Sequence, residues 1–447
     1  MKATRTKNGL AGMVHATPPD RDRYVDLVRA FSILVVVFGH WLMAIVYLDS
    51  DGISGSNALD VVPGLWLLTW VLQVMPLFFL VGGFSNAVAW RSHTRRGLTY
   101  GDFLRSRIVR IMRPTLVFIG AWLGAVLVMR EAAPQSFDQL RVATELIAKP
   151  VWFLAVYVMV IALAPLMLAY HERYGIRVLL FMGGAAATAD VLGIGFGLPG
   201  IGYLNFAFVW LFAHQLGFFY ADGVLQRFSK RFLASLAACS LTLLALLTGS
   251  GIYSPSFVGM KSEAASNNSP PTVCLILLTV WLTSAAMLAR PALTRWIQKQ
   301  RVWTAVVAAN SMIMTIFLWH LTAALVAVVV LFPLGFPQPR GGTALWWAWR
   351  PMWLATLSGV LAIFIATFSR FERPPLRRAD PGTPSSRLAV AGGVAALVTG
   401  LAGFAQFGFA LGPVVHTNQL LSQPLFNAVL VFVGYLALAA RPRSIGG

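Results

Sequence analysis

Twelve separate apolar runs, each close to the roughly 20 residues that a membrane-crossing helix needs, constrain this chain more than any other feature. They lie at 28–48, 65–90, 113–130, 150–170, 176–193, 201–221, 231–249, 272–289, 304–332, 345–369, 388–411 and 424–440. With 57% hydrophobic and only 11% charged residues, the 447-residue chain cannot hide its apolar surface inside one water-facing domain. Disorder is excluded for the opposite reason, since it requires low hydrophobicity. A disulfide scaffold is excluded by the two cysteines, Cys239 and Cys274, which read as inert core residues. The expected class is therefore an all-α, polytopic helical membrane protein of about twelve spans. Pro76 predicts a kink in the second span. Gly183, Gly184 and the alanines after them predict close packing in the fifth, and Gly392, Ala396 and Gly400 do so in the eleventh.

Basic residues set the expected orientation. With the N-terminus inside and every span crossing, 29 of the 35 Lys and Arg fall on the cytoplasmic side, and Arg130, Arg141, Lys149, Lys261, Arg340 and Arg350 outside. The net charge of +19 then divides into +21 inside and −2 outside. Both termini are expected in the cytoplasm. No cleavable signal peptide is expected, because the first apolar run is already a full span. The expected organisation is a tail over 1–24, a ten-helix membrane domain over 25–370, a basic, Pro-rich linker over 371–387, and two further helices over 388–447. The longest non-apolar stretch, 91–112, reads as a loop.

Ionisable residues inside spans are the default functional candidates. Here they are Arg29, His40, Asp190, His214, His320 and Arg350, with Gln73, Asn205, Gln215 and Asn310 as neutral companions. Arg29 and His40 are separated by about 16 Å of helical rise and by about 20° beyond three full turns, so they share a face. Asp26 lies three residues before Arg29, within ion-pair reach. Histidine can take a proton from a hydroxyl near neutral pH without a metal, so His40 is the candidate general base or transient acyl carrier. There is no HExxH pattern, no GxSxG elbow and no P-loop, so no metal site is expected. Arg107, Arg110 and Arg113 recur every third residue along a helix leading into the third span, an arrangement suited to gripping phosphates. They also fit a positive-inside loop. Trp319 and His320 lie in the ninth span. His214 reads as a hydrogen bond between helices. Asp190 and Arg350 fall near the outer surface, paired with each other or facing headgroups. Tryptophans such as Trp66, Trp90, Trp296 and Trp346 read as an interfacial belt.

Several segments together resemble a known family. RYVDLVRAFSILVVVFGHW is similar to the first-helix signature of acyltransferase family 3, in which ten residues separate an Arg or Lys from a His, as they separate Arg29 from His40. FFLVGGFSNAVAW (78–90), FLRSRIVRIMRP (103–114), VWFLAVYVMV (151–160) and NSMIMTIFLWH (310–320) resemble later motifs, in order. Gly82 stands where that family usually has Ser, and Ile316 and Phe317 stand where Tyr is common. The last two helices lie outside the family's ten-helix core. The resemblance implies a membrane O-acyltransferase in the cytoplasmic membrane of a bacterium. It implies an acyl group, acetyl foremost, moved from cytoplasmic acyl-CoA to a hydroxyl of a carbohydrate, glycolipid or small natural product. Acyl-CoA would be a co-substrate, with no cofactor bound. His40 would be catalytic. Arg29, Arg107, Arg110 and Arg113 would hold the donor, with Asp26, Trp319 and His320 in support, the last two toward the acceptor. The membrane lipid is a further partner, and nucleic acid is not. The alternative is a secondary transporter or lipid flippase, which predicts corresponding broken helices in two halves of the chain; no such repeat is present.

Overall fold

Inside lipid a backbone N–H or C=O finds no water, so an apolar run satisfies its polar groups by coiling into a helix. The computed structural model describes residues 10–49, 52–132, 137–259, 266–372, 386–410 and 422–439. In chain order its main helices are α1 Leu10–His15, α2 Arg23–Met43, α3 Met75–Arg95, α4 Tyr100–Ala132, α5 Phe137–Ala148, α6 Val151–Tyr174, α7 Ile176–Asp190, α8 Asn205–Ala221, α9 Lys230–Gly249, α10 Val273–Ile297, α11 Gln300–Ser311, α12 Ile313–Leu331, α13 Ala344–Phe368, α14 Arg387–Phe407 and α15 Pro424–Ala439. A two-stranded sheet pairs β1 Ala44–Asp49 with β2 Gly52–Asn57. Among the described residues, eleven helical segments are long and apolar enough to cross a membrane. The expected twelfth span is α15, of 16 residues, about 24 Å long against a hydrocarbon core of about 30 Å. The protein is an integral membrane protein of the helical class.

Several expected boundaries move, each for a physical reason. The first span ends at Met43, because AIVYL, β-branched and aromatic, continues as β1. In β1, Ile45 is buried and the Tyr47 hydroxyl accepts a hydrogen bond from the Gly341 amide. Pro76 is the second residue of α3 rather than a mid-helix kink; at a first turn its missing N–H costs nothing. The expected ninth span is interrupted at Met312, between α11 and α12. The stretch 91–112 is mostly helical, divided between α3 and α4. The tail includes α1, whose Val14 packs with Ala30, Ile297, Trp303 and Val306. The linker at 371–387 lies almost wholly outside the described residues.

The chain divides into two compact units, one drawn from 1–43, 57–88 and 166–313, the other from 44–56, 89–165 and 314–447. In the first unit α3 and α8 pack backbone to backbone. A Cβ at Gly83 would overlap the His214 carbonyl, and one at Gly217 would overlap the Leu80 carbonyl. Gly183 and Gly184 make no such approach; a Cβ on either meets open space, while Ala186 and Ala189 of α7 are buried. In the second unit α14 and α15 form a tight pair. Its glycines are Gly393, Gly400 and Gly403 of α14 and Gly434 of α15, and Gly392 meets nothing. The same pair rests on α4, where the Arg105 Nε donates to the Leu438 carbonyl at 3.3 Å. Cys274 is buried as expected, but Cys239 is exposed on α9. Trp346 is buried rather than belt-like, whereas Trp296 is exposed.

Candidate functional site

Asp22 starts α2, its Oδ1 accepting the Tyr24 and Val25 amides, a side-chain cap on the first turn. One turn on, Asp26 is 4% exposed and holds two guanidinium groups. Arg21 bonds it through Nε and Nη2, and Arg29 through Nη1 at 3.2 Å. That bond to Asp26 raises the Arg21 guanidinium above its ordinary range. The expected Asp26–Arg29 ion pair is therefore formed. The second arm of Arg29, Nη2, donates to the Ser85 hydroxyl of α3 at 2.6 Å. Asn310 of α11 donates to the Asp26 carbonyl at 2.9 Å. Three helices thus fix the Arg29 end of α2. His40, half-buried, lies further along the same helix face.

Ser85 is the residue that sequence reasoning missed. The related motif has Ser at the position of Gly82, yet the hydroxyl that meets Arg29 is three residues later on the same helix. Losing this charge-assisted hydrogen bond in Ser85→Ala is expected to cost about 1.5 kcal/mol, read as a lowered melting temperature of the purified protein in detergent.

Elsewhere in this unit His214 behaves as expected, pairing across helices with Asn86 Nδ2 at 3.1 Å. Asp190 is buried, not headgroup-facing. It accepts hydrogen bonds from Asn205 at 2.7 Å, the Val273 amide at 2.8 Å and Tyr253 at 3.2 Å. Burial, with Asp190 beside it, pushes the Tyr253 phenol up. His171, not singled out from sequence, donates or accepts at both ring nitrogens, with Asp222 and Gln215 each at 2.9 Å.

In the second unit, α4 begins with a reciprocal cap: the Thr99 amide and hydroxyl donate to Asp102, and the Asp102 amide donates to Thr99 Oγ1. Arg107 and Arg113 are half-buried and Arg110 is exposed. Spacing by three turns successive side chains about 60° around the helix, so the trio spreads over one broad side rather than a narrow stripe. Arg110 acts electrostatically on Glu372, another residue that sequence reasoning missed. Glu372 is 5% exposed and accepts from the Met314 and Thr315 amides at 2.9 and 3.1 Å and from the Thr315 hydroxyl at 3.0 Å. It is the carboxylate that the first amides of α12 require.

Trp319 and His320 follow on α12, both buried in the core of this unit. Trp319 stacks on Phe368 at 4.0 Å and Phe364 at 4.9 Å between centroids, with Phe118 of α4 edge-on. His320 Nδ1 lies 2.6 Å from the Phe317 carbonyl. A neutral ring in that contact donates from Nδ1 and keeps Nε2 as the acceptor. Asp26, Arg29 and His40 therefore belong to the first unit, and Arg107, Arg110, Arg113, Trp319 and His320 to the second. Among the described residues no group of three or more His, Cys, Asp or Glu is placed to hold a metal ion.

Compared with known families, residues 22–370 match the model of a family described as an acyltransferase domain. No curated protein and no solved structure gives a match.

Proposed function

The chain belongs to the acyltransferase family whose model it matches over 22–370, and from that membership we propose how this membrane acyltransferase works. The donor is cytoplasmic acyl-CoA, acetyl-CoA foremost. The acceptor is a hydroxyl of a carbohydrate, glycolipid or small natural product, and the setting is a bacterial cytoplasmic membrane with both chain termini inside. His40 removes the acceptor's proton as its oxygen attacks the thioester carbonyl. A C–O bond forms, the C–S bond breaks, and the proton passes from His40 to the departing thiolate. In a variant route His40 Nε2 or Nδ1 carries the acyl group between the two partners.

The observation that carries this reading is the mounting of Arg29. Asp26 and Ser85 fix its guanidinium on the helix face that also bears His40. An Arg held this firmly is fixed in place rather than left to wander in headgroups. Arg107, Arg110 and Arg113 supply further phosphate-gripping groups on α4. Buried Trp319 and His320 shape the acceptor side through packing.

Purified protein given acetyl-CoA and an acceptor extract should release CoA thiol, measured with Ellman's reagent. An absence of thiol release, with transport of a lipid or solute instead, overturns the reading. Arg110→Ala should raise the KM for acetyl-CoA about tenfold, equivalent to one charge-assisted contact of about 1.4 kcal/mol, with kcat little changed.

A further inference from the structure

Arg350 stands in the second turn of α13, within a segment long and apolar enough to cross a membrane. Its guanidinium lies 3.7 Å from the centroid of the Trp346 ring. Its Nη1 makes one long hydrogen bond, 3.4 Å, to the Ala44 carbonyl of β1. Among the described residues no carboxylate pairs with it. Its Nε, and the Trp346 Nε1, are buried without a hydrogen-bond partner among those residues. A cavity of about 30 Å³ lies against it, walled by Val46, Phe336, Trp349 and Trp353. That is about twice the space one water needs.

Arg350 is half-buried, and a guanidinium set against apolar walls is costly unless an opposite charge answers it. The Trp346 face answers only in part. The same positive charge rejects an ammonium ligand, which the aromatic walls alone would welcome. The planar donor fork of Arg fits the oxygens of a phosphate. The Arg110–Glu372 end of this unit lies at the far end of α13, about 30 Å away by helical rise, so this is a separate place from the arginines on α4.

We infer that the Arg350 cavity is a binding site for a phosphate group, with Arg350 as its counter-charge and the aromatic walls against the ligand's less polar part. This site stands apart from the acyl-transfer reading and is tested without it. Full-length protein in a nonionic detergent is mixed with phosphatidylglycerol or with diacylglycerol, which lacks the phosphate, and retained lipid is counted by native mass spectrometry. In parallel, tryptophan fluorescence is followed during titration with inorganic phosphate. Retention of phosphatidylglycerol at least fivefold over diacylglycerol, lost in Arg350→Gln, supports the site with a lipid as its source. A phosphate-dependent fluorescence change lost in Arg350→Gln, without lipid preference, supports it with a soluble anion. Val46→Phe, which fills the cavity and leaves Arg350 in place, should give the same losses, and it decides the matter if Arg350→Gln does not fold. If neither variant alters lipid retention or the phosphate response, the inference is overturned.

Discussion

His40→Ala should lower the turnover of acyl transfer by about 10²- to 10⁴-fold, the range that a positioned general base contributes. The position of His40 depends on where α2 is held. Its first turns are fixed by Asp22, Asp26 and the Arg29–Ser85 contact, so His40 is carried at a set height and on a set face. The substitution removes the ring and leaves those contacts in place. Binding of acetyl-CoA, measured by calorimetry, should therefore change little while kcat collapses. The two proposed routes separate in the same variant series. If His40 carries the acyl group, wild-type protein exposed to acetyl-CoA alone releases one equivalent of thiol and gains one acetyl mass, and His40→Ala does neither. If it acts only as a base, no acetyl mass appears without acceptor. Wild-type turnover in His40→Ala would remove His40 from the chemistry altogether.

Gly83→Ala should be among the most damaging single methyl additions in the first unit. Its Cβ would overlap the His214 carbonyl oxygen, with the Gly217 Cα at 3.0 Å. These are backbone atoms of α8, not the ends of flexible side chains, so relief requires the two helices to part. Parting would also stretch the Asn86–His214 hydrogen bond, 3.1 Å long and one turn from the contact. The expected cost is about 3 kcal/mol, the upper part of the usual range for overpacking. The measurement is the apparent melting temperature in detergent. Gly120→Ala is the matched control, since a Cβ there meets nothing within 4 Å; it should hold its stability or gain slightly from better helix propensity. Equal melting temperatures for the two variants would show that the α3–α8 contact is not close.

What could be read from the chain divides along the range of the interaction. Spans were legible because a bilayer imposes a length on any crossing helix. The Asp26–Arg29 pair was legible because three residues along a helix is contact distance. Ser85 and Glu372 were not, because each meets its partner only after distant segments pack; nothing local ties Ser85 to Arg29 or Glu372 to the amides of α12. The α14 glycines show how narrow the margin is. Periodicity puts Gly392 and Gly400 on one packing face; Gly400 is at the interface, but Gly392 meets nothing, and Gly393 and Gly403 take part instead. A shift of one residue turns a helix by about 100°, and periodicity alone does not fix that phase. The turn from α2 into β1 was hidden for a different reason: AIVYL satisfies both an apolar helix and a half-buried strand.

The 33 residues of α4 have one more consequence. Such a helix is about 50 Å long, against about 30 Å of hydrocarbon, and its uninterrupted apolar stretch begins only after Arg113. The excess length is available to the aqueous boundary, where dissolved ions shroud charge over a distance of about 8 Å at physiological strength. Arg107 and Arg110, carried on the first turns of α4, would feel an anion only over that short distance. As the donor-holding groups proposed above, they would work as a short-range latch for a molecule already close to α4.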